Sequence, residues 1–259
     1  GEFRRRNRKQ GVNGRGGFHR LLRPRQCNER EACWMAWERK RGKREQFNRL
    51  LVEGDDSGFS VHEGNRKSLK NIRFVVTVDV DTMLPTGSVA KLAGTLAHPL
   101  NVARFDPQSG RIVSGYSILQ PRVEMAPQSV SRTLFTRFFA GDTAIDIYSR
   151  AVSNVYQDLF GSGIFVGKGI YDVAAFRRSV DGFAPEDTIL SHDLLEGSLG
   201  RAGLASDIVL YEGFPGTYLE YVKRWHRWVR GDWQLLPWLT RQMPASNGQK
   251  VRNRPNGLD

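Results

Sequence analysis

Asp79 and Asp81 stand one residue apart at the end of the run Phe74-Val75-Val76-Thr77-Val78. An ionised carboxylate is costly to bury unless it is paired or metal-bound, so the apolar run must stop where Asp79 begins. Two carboxylates at a strand end suit a hard divalent cation, Mg²⁺ in particular, which is usually held by one or two carboxylates plus phosphate oxygens and water. A solvated turn after a strand has the same composition, and Thr82-Met83-Leu84-Pro85 reads as a turn, so the pair needs companions. Three later segments supply polar groups of the right kind. Gly161-Ser162-Gly163-Ile164-Phe165-Val166-Gly167-Lys168-Gly169 is a glycine-flanked apolar run whose backbone can approach a flat ring closely, although glycine-rich turns around a buried strand look the same. Ser191-His192-Asp193 opens a helix after the polar loop Pro185–Thr188, where an aspartate either does chemistry or caps the helix. Arg224-Trp225-His226-Arg227-Trp228 places arginines three apart on one helix face, as phosphate-binding forks beside apolar platforms that suit a sugar; a packed tryptophan-rich helix with snorkelling arginines is the alternative.

The elements that must position these groups alternate along the chain. Phe74–Val78 has the length and β-branched content of a strand buried on both faces, which delivers Asp79 and Asp81 to the carboxyl end of a sheet, where open α/β folds bind ligands. Val89, Leu92, Ala93 and Leu96 recur at helical spacing within Gly87–His98. Strands are predicted over Arg111–Gln120, Ile164–Val166 and Ile208–Tyr211. Helices are predicted within Ser129–Gln157 and over Ile170–Arg178, His192–Ala202 and Tyr218–Leu239, the last with Trp225, Trp228, Trp233 and Trp238. Earlier, Phe18–Arg25 reads as a short strand, Trp34–Leu51 as a loop leading into a helix, and Gly54–Asn71 as a loop. Such alternation argues for α/β with a mainly parallel sheet.

Bulk properties exclude several classes. The 259 residues fit one large domain or two small ones. The net charge of +12 is concentrated at the start: residues 1–50 hold 16 Lys/Arg against 5 Asp/Glu, and the remainder is nearly balanced. Residues 1–17, with Arg4-Arg5-Arg6 and Gly11, Gly14, Gly16 and Gly17, read as a disordered basic tail, and 241–259 as a disordered or truncated C-terminal tail. That basic start would attract phosphates. It has no nucleic-acid recognition motif and few aromatics for stacking, so no specific nucleic acid is expected. The two cysteines, Cys27 and Cys33, make neither a disulfide framework nor a zinc quartet. No apolar run approaches a transmembrane length and no signal-peptide pattern opens the chain.

Taken in order, Asp79-Val80-Asp81, Phe165-Val166-Gly167, Ser191-His192-Asp193 and Arg224-Trp225-His226-Arg227-Trp228 resemble the signature of processive inverting glycosyltransferases with a GT-A fold. The chain is also similar to the glycosyltransferase segment of bacterial cyclic β-1,2-glucan synthases. The stretches that carry this run from Trp37-Glu38-Arg39-Lys40-Arg41-Gly42-Lys43 through Ile118-Leu119-Gln120-Pro121-Arg122-Val123 to His226-Arg227-Trp228-Val229-Arg230-Gly231-Asp232-Trp233-Gln234. His192 stands where many relatives have Glu, and Arg224 where many have Gln.

The resemblance implies a GT-A-like sheet over residues 18–240, incomplete because the first nucleotide-binding strand is missing. It implies transfer of glucose from UDP-glucose to a β-glucan acceptor. In the roles it implies, Asp193 is the general base, and Asp79 and Asp81 hold Mg²⁺ or Mn²⁺ against the UDP phosphates. Arg224 and Arg227 face the pyrophosphate, Trp228 the acceptor sugar, Gly167 the sugar-binding run, and Lys43 the donor side. It further implies a parent protein in the bacterial inner membrane with this segment cytoplasmic, and flanking transmembrane regions as partners. An inert fragment of such an enzyme is the other reading.

Overall fold

The computed structural model describes residues 17–29, 31–140, 155–190, 192–240, 242–244 and 249–252. The chain divides into two compact units, Gly1–Arg73 and Phe74–Asp259, across the stretch 18–240 expected as one domain.

In the first unit, β1 (Arg20–Leu22) pairs antiparallel with β4 (Val61–Glu63), and β2 (Arg25–Asn28) forms a hairpin with β3 (Cys33–Ala36). Helix α1 (Arg39–Glu53) ends at Gly54, whose left-handed backbone (φ 74°) lets its N–H reach the Leu50 carbonyl at 3.1 Å. The Arg23 guanidinium donates to the Arg39 and Trp37 carbonyls and to Gln46 Oε1, which ties the segment between β1 and β2 to the start of α1. Gly42 lies against the Trp37 backbone so closely that a Cβ would collide with it, and this contact accounts for the glycine.

The second unit is built on a four-stranded sheet in the order β10-β8-β9-β5, from β5 (Phe74–Thr77), β8 (Ile118–Met125), β9 (Gly169–Asp172) and β10 (Ala202–Glu212). Strands β10 and β8 are parallel, whereas β9 runs antiparallel to both β8 and β5. Three of the four strands therefore share one direction, and the sheet is mixed rather than purely parallel. A small antiparallel pair, β6 (Arg104–Phe105) with β7 (Ile112–Ser114), precedes β8, so the stretch read as one strand from Arg111 is two. Within 241–259, β11 (Gln242–Pro244) pairs antiparallel with β12 (Lys250–Arg252).

One face of the sheet is packed by α2 (Ser88–Ala97). Its Leu92 and Leu96 join Leu119 of β8, Ile170 of β9 and Ala205 and Ile208 of β10, with Phe74 and Val76 of β5 against them. The i, i+4 leucines and the alternate strand residues are what the two periodicities place on facing surfaces. β5 itself is only partly buried along its length, so the expectation of a strand buried on both faces is not met: Phe74 and Val76 pack against the α2 cluster without being sealed by it.

The expected strand at Ile164–Val166 and helix from Ile170 are displaced. Phe165 is buried, but this triplet makes no ladder; the Val166 N–H donates instead to the Gln120 side chain at 2.9 Å. The strand begins at Gly169, which approaches the Leu119 carbonyl too closely for any side chain, and α3 (Val173–Val180) follows, capped by Asp172. Pro121 sits within β8, where it can donate no hydrogen bond; opposite it the register of β10 shifts between Ala205 and Val209. Helix α4 (His192–Gly200) then leads into β10, which starts earlier than the apolar run at Ile208 suggests, and α5 (Tyr218–Trp233) gives way to a 3-10 turn, Leu236–Leu239. The expected helical region Ser129–Gln157 is described only in part, as short helices at Pro127–Val130, Leu134–Phe139 and Val155–Phe160; residues 141–154 lie outside the described residues.

Candidate active site

The carboxyl ends of β5 and β10 and the amino end of β9 meet at one edge of the sheet, since Thr77 pairs with Gly169. After β5 the chain turns at Asp79–Thr82: the Thr82 N–H reaches the Asp79 carbonyl at 3.2 Å, and the Asp79 N–H donates to Thr82 Oγ1 at 3.1 Å. Met83 then makes a two-bond antiparallel bridge with Tyr211, at 2.7 and 3.1 Å, which pins the turn to the end of β10. Val80 points fully into solvent, while Asp81 comes beside Gly213; a Cβ added there would meet the Asp81 carboxylate at 3.6 Å.

Asp193 arrives from α4. Its position follows from two close approaches one helical turn apart. At Gly197 a Cβ would meet Phe165 Cβ at 2.7 Å, and at Gly167 a Cβ would lie 2.6 Å from Asp193 Oδ2. Asp193 and Gly197 are four residues apart, about 6 Å along the axis on one helix face, so the same face meets Gly167 and Phe165. Gly167 has a left-handed φ of 85°, so both its conformation and its neighbour require a glycine. The Gly167 carbonyl in turn accepts from Thr77 Oγ1 at 3.3 Å, two residues before Asp79. Asp193 is partly exposed, and His192 Nε2 lies 3.3 Å from its Oδ1. His192, Asp193 and Glu196 also bring ligand atoms within 4.8 Å of one another. Ser191 lies outside the described residues.

Asp79 is joined to the same short segment. The Lys168 ammonium lies 3.4 Å from Asp79 Oδ2 and contacts Glu212 Oε1. Glu212 is fully buried at the end of β10, accepts from Thr82 Oγ1 at 3.3 Å, and has its second oxygen 3.8 Å from Arg224 Nη2. Arg224 lies on α5, with its guanidinium 4.7 Å over the Trp228 ring, the i, i+4 geometry of one helix face. Thr217 begins that helix by accepting from the Glu220 N–H. Gly167, Lys168, Asp79, Asp193, Glu212, Arg224 and Trp228 thus form one connected group. Arg227 is exposed on the same helix, and Asp81 is exposed on the turn. Lys43 is an exposed residue of α1 in the Gly1–Arg73 unit.

Sequence reasoning did not single out Lys168, Glu212 or Thr82. The signal was present for Glu212: a carboxylate ending the apolar run Ile208-Val209-Leu210-Tyr211, as Asp79 ends the run from Phe74. As for a cation, an exposed carboxylate (Asp81) and a second that is 40% exposed (Asp79) offer hard oxygen donors at a solvent-facing edge, so the residues fit a hard divalent ion.

The model of glycosyl transferase family group 2 matches residues 74–252, a range that takes in every member of this group and the whole sheet. The chain belongs to that family. It is also 45% identical over 228 residues to the cyclic beta-(1,2)-glucan synthase NdvB of Rhizobium meliloti (strain 1021), which covers 87% of this chain and 8% of that protein. The chain therefore spans a small part of that relative's length. As a family 2 glycosyltransferase it has the mixed sheet flanked by helices of a GT-A-like domain and a role in glycosyl transfer. Among the described residues no helix is long and apolar enough to cross a membrane.

Proposed function

We propose that this segment is the catalytic part of an inverting glucosyltransferase that moves glucose from UDP-glucose to a growing β-1,2-glucan. The observation that carries the reading is the seating of Asp193 on Gly167 while the next residue, Lys168, pairs with Asp79. A proton acceptor and a carboxylate pair suited to a metal are thereby set along one dipeptide. The similarity to a cyclic beta-(1,2)-glucan synthase supports the acceptor and the linkage.

Inversion is one in-line displacement. The acceptor 2-hydroxyl oxygen bonds to the anomeric carbon, the bond from that carbon to the phosphate oxygen breaks, and the electron pair leaves with UDP. Asp193 takes the hydroxyl proton, and its contact with Gly167 holds the carboxylate toward the sheet edge. Asp79 and Asp81 are the residues that would hold Mg²⁺ or Mn²⁺, and the ion would supply positive charge to the departing diphosphate. Arg224, anchored between Glu212 and Trp228, and the exposed Arg227 add fixed charge to the same group. Trp228 offers a ring edge and face to the acceptor sugar, and Gly167 lets the sugar approach the backbone. Flanking parts of a longer, membrane-bound parent would complete the donor site, with this segment on the cytoplasmic side.

Asp193→Asn tests the reading in the intact parent enzyme. Glucose transfer should fall by several orders of magnitude while UDP binding, measured by calorimetry, stays within twofold, because the base acts only in the chemical step. Transfer at the wild-type rate would refute the assignment.

A further inference from the structure

Lys168 is 4% exposed, and a buried ammonium is retained only when it is paired. Its two partners differ. Glu212 is completely buried and in direct contact, whereas the Asp79 carboxylate is 40% exposed and lies 3.4 Å away. Glu212 also accepts from Thr82 and faces Arg224, so it is fixed from three sides. Lys168 can therefore give up Asp79 and keep its ion pair with Glu212. The reverse exchange would strand a carboxylate with no exposure.

We propose that Lys168 is a positioning residue that serves as a releasable internal counter-ion for Asp79. It holds that carboxylate in the free protein and yields it to the divalent cation that binds with the nucleotide, while Glu212 retains the ammonium. The inference rests on the reading that Asp79 and Asp81 hold a metal. Its consequence is that Lys168 competes with the cation for Asp79, so that the carboxylate pair by itself is a poor metal site and is filled mainly when a diphosphate contributes oxygens.

The two members of the buried pair then act on metal binding in opposite directions. With Glu212→Gln, Lys168 has Asp79 as its remaining carboxylate partner and binds it harder, so Mn²⁺ affinity should fall several-fold. With Lys168→Met/Glu212→Gln, both buried charges go together, Asp79 no longer faces the ammonium, and Mn²⁺ should bind about fivefold tighter than to the wild type, the size expected for a half-exposed ion pair. The measurement is Mn²⁺ titration of the full chain followed by electron paramagnetic resonance, without nucleotide and then with UDP, on protein whose cooperative melting shows it folded. A merely structural pair would shift both variants the same way, toward weaker binding. Equal or weaker Mn²⁺ binding by the double variant overturns the proposal, and should Glu212→Gln fail to fold, the double variant alone decides. Failure of the underlying metal reading looks different: wild-type protein would bind no Mn²⁺ even with UDP, and Asp81→Asn would change nothing.

Discussion

Gly167→Ala tests the geometry on which the reaction reading stands. Two effects combine at this position. The φ of 85° lies in the left-handed region, which a residue with a Cβ occupies at a cost of about 1–2 kcal/mol. The new methyl would also sit 2.6 to 2.8 Å from the three terminal atoms of Asp193, where ordinary contact begins at 3.4 Å. The aspartate stem is short and starts on a helix locked to Phe165 through Gly197, so the carboxylate must move by about 0.6–0.8 Å or turn away. For a unit of this size the backbone cost lowers Tm by roughly 2–8 °C. A reacting group displaced by nearly 1 Å loses on the order of 10²-fold in rate, so transfer in the intact enzyme should fall by about 10- to 100-fold. Differential scanning fluorimetry and radiolabelled glucose incorporation read the two effects separately. Unchanged Tm with unchanged transfer would refute both the contact and the role built on it.

Other expectations are simpler. Gly94→Ala, on the exposed side of α2 with open space around it, should raise stability by about 0.5–1 kcal/mol in denaturant unfolding and leave transfer alone. Phe165→Ala removes a buried ring clamped by Gly197 and should cost about 3–5 kcal/mol in the same assay, with loss of transfer because α4 is no longer held. Asp172→Ala takes away the side chain that accepts from the Ala174 and Ala175 N–H groups at the start of α3 and should cost about 1 kcal/mol. In the first unit, burial and the neighbouring His62 hold the His19 imidazole below its ordinary value of 6.5. A base whose folded pKa is depressed contributes stability above its unfolded pKa and loses it as pH falls through that value. Local protection around β1 and β4, measured by hydrogen exchange corrected for its intrinsic pH dependence, should therefore decline as the pH is lowered below 6.5.

Much of the site was legible because its groups are local in sequence. Asp79 and Asp81 follow a β-branched run with the length of a strand, and the cost of burying charge ends the apolar run there. Helix α2 was legible from its i, i+4 leucines, and α5 from its arginines three apart with tryptophans between them; the Arg224–Trp228 contact came from the structure. The triplet Ile164-Phe165-Val166 misled because an apolar run reports burial and says nothing about hydrogen bonding. Phe165 is buried by α4, and the ladder starts only where Gly169 can approach β8. The direction of β9 is a pairing outcome, set between positions 51 to 98 residues apart that no local pattern specifies. Lys168 and Glu212 show the same limit in the site itself. Each is an ordinary charged residue beside a glycine until the sheet brings the two, 44 positions apart, together. Residue type and local periodicity decide which groups can ionise and where a strand or helix can run. Which charges meet in a low-dielectric interior depends on tertiary packing, and only the folded sheet edge placed Lys168 between Asp79 and Glu212.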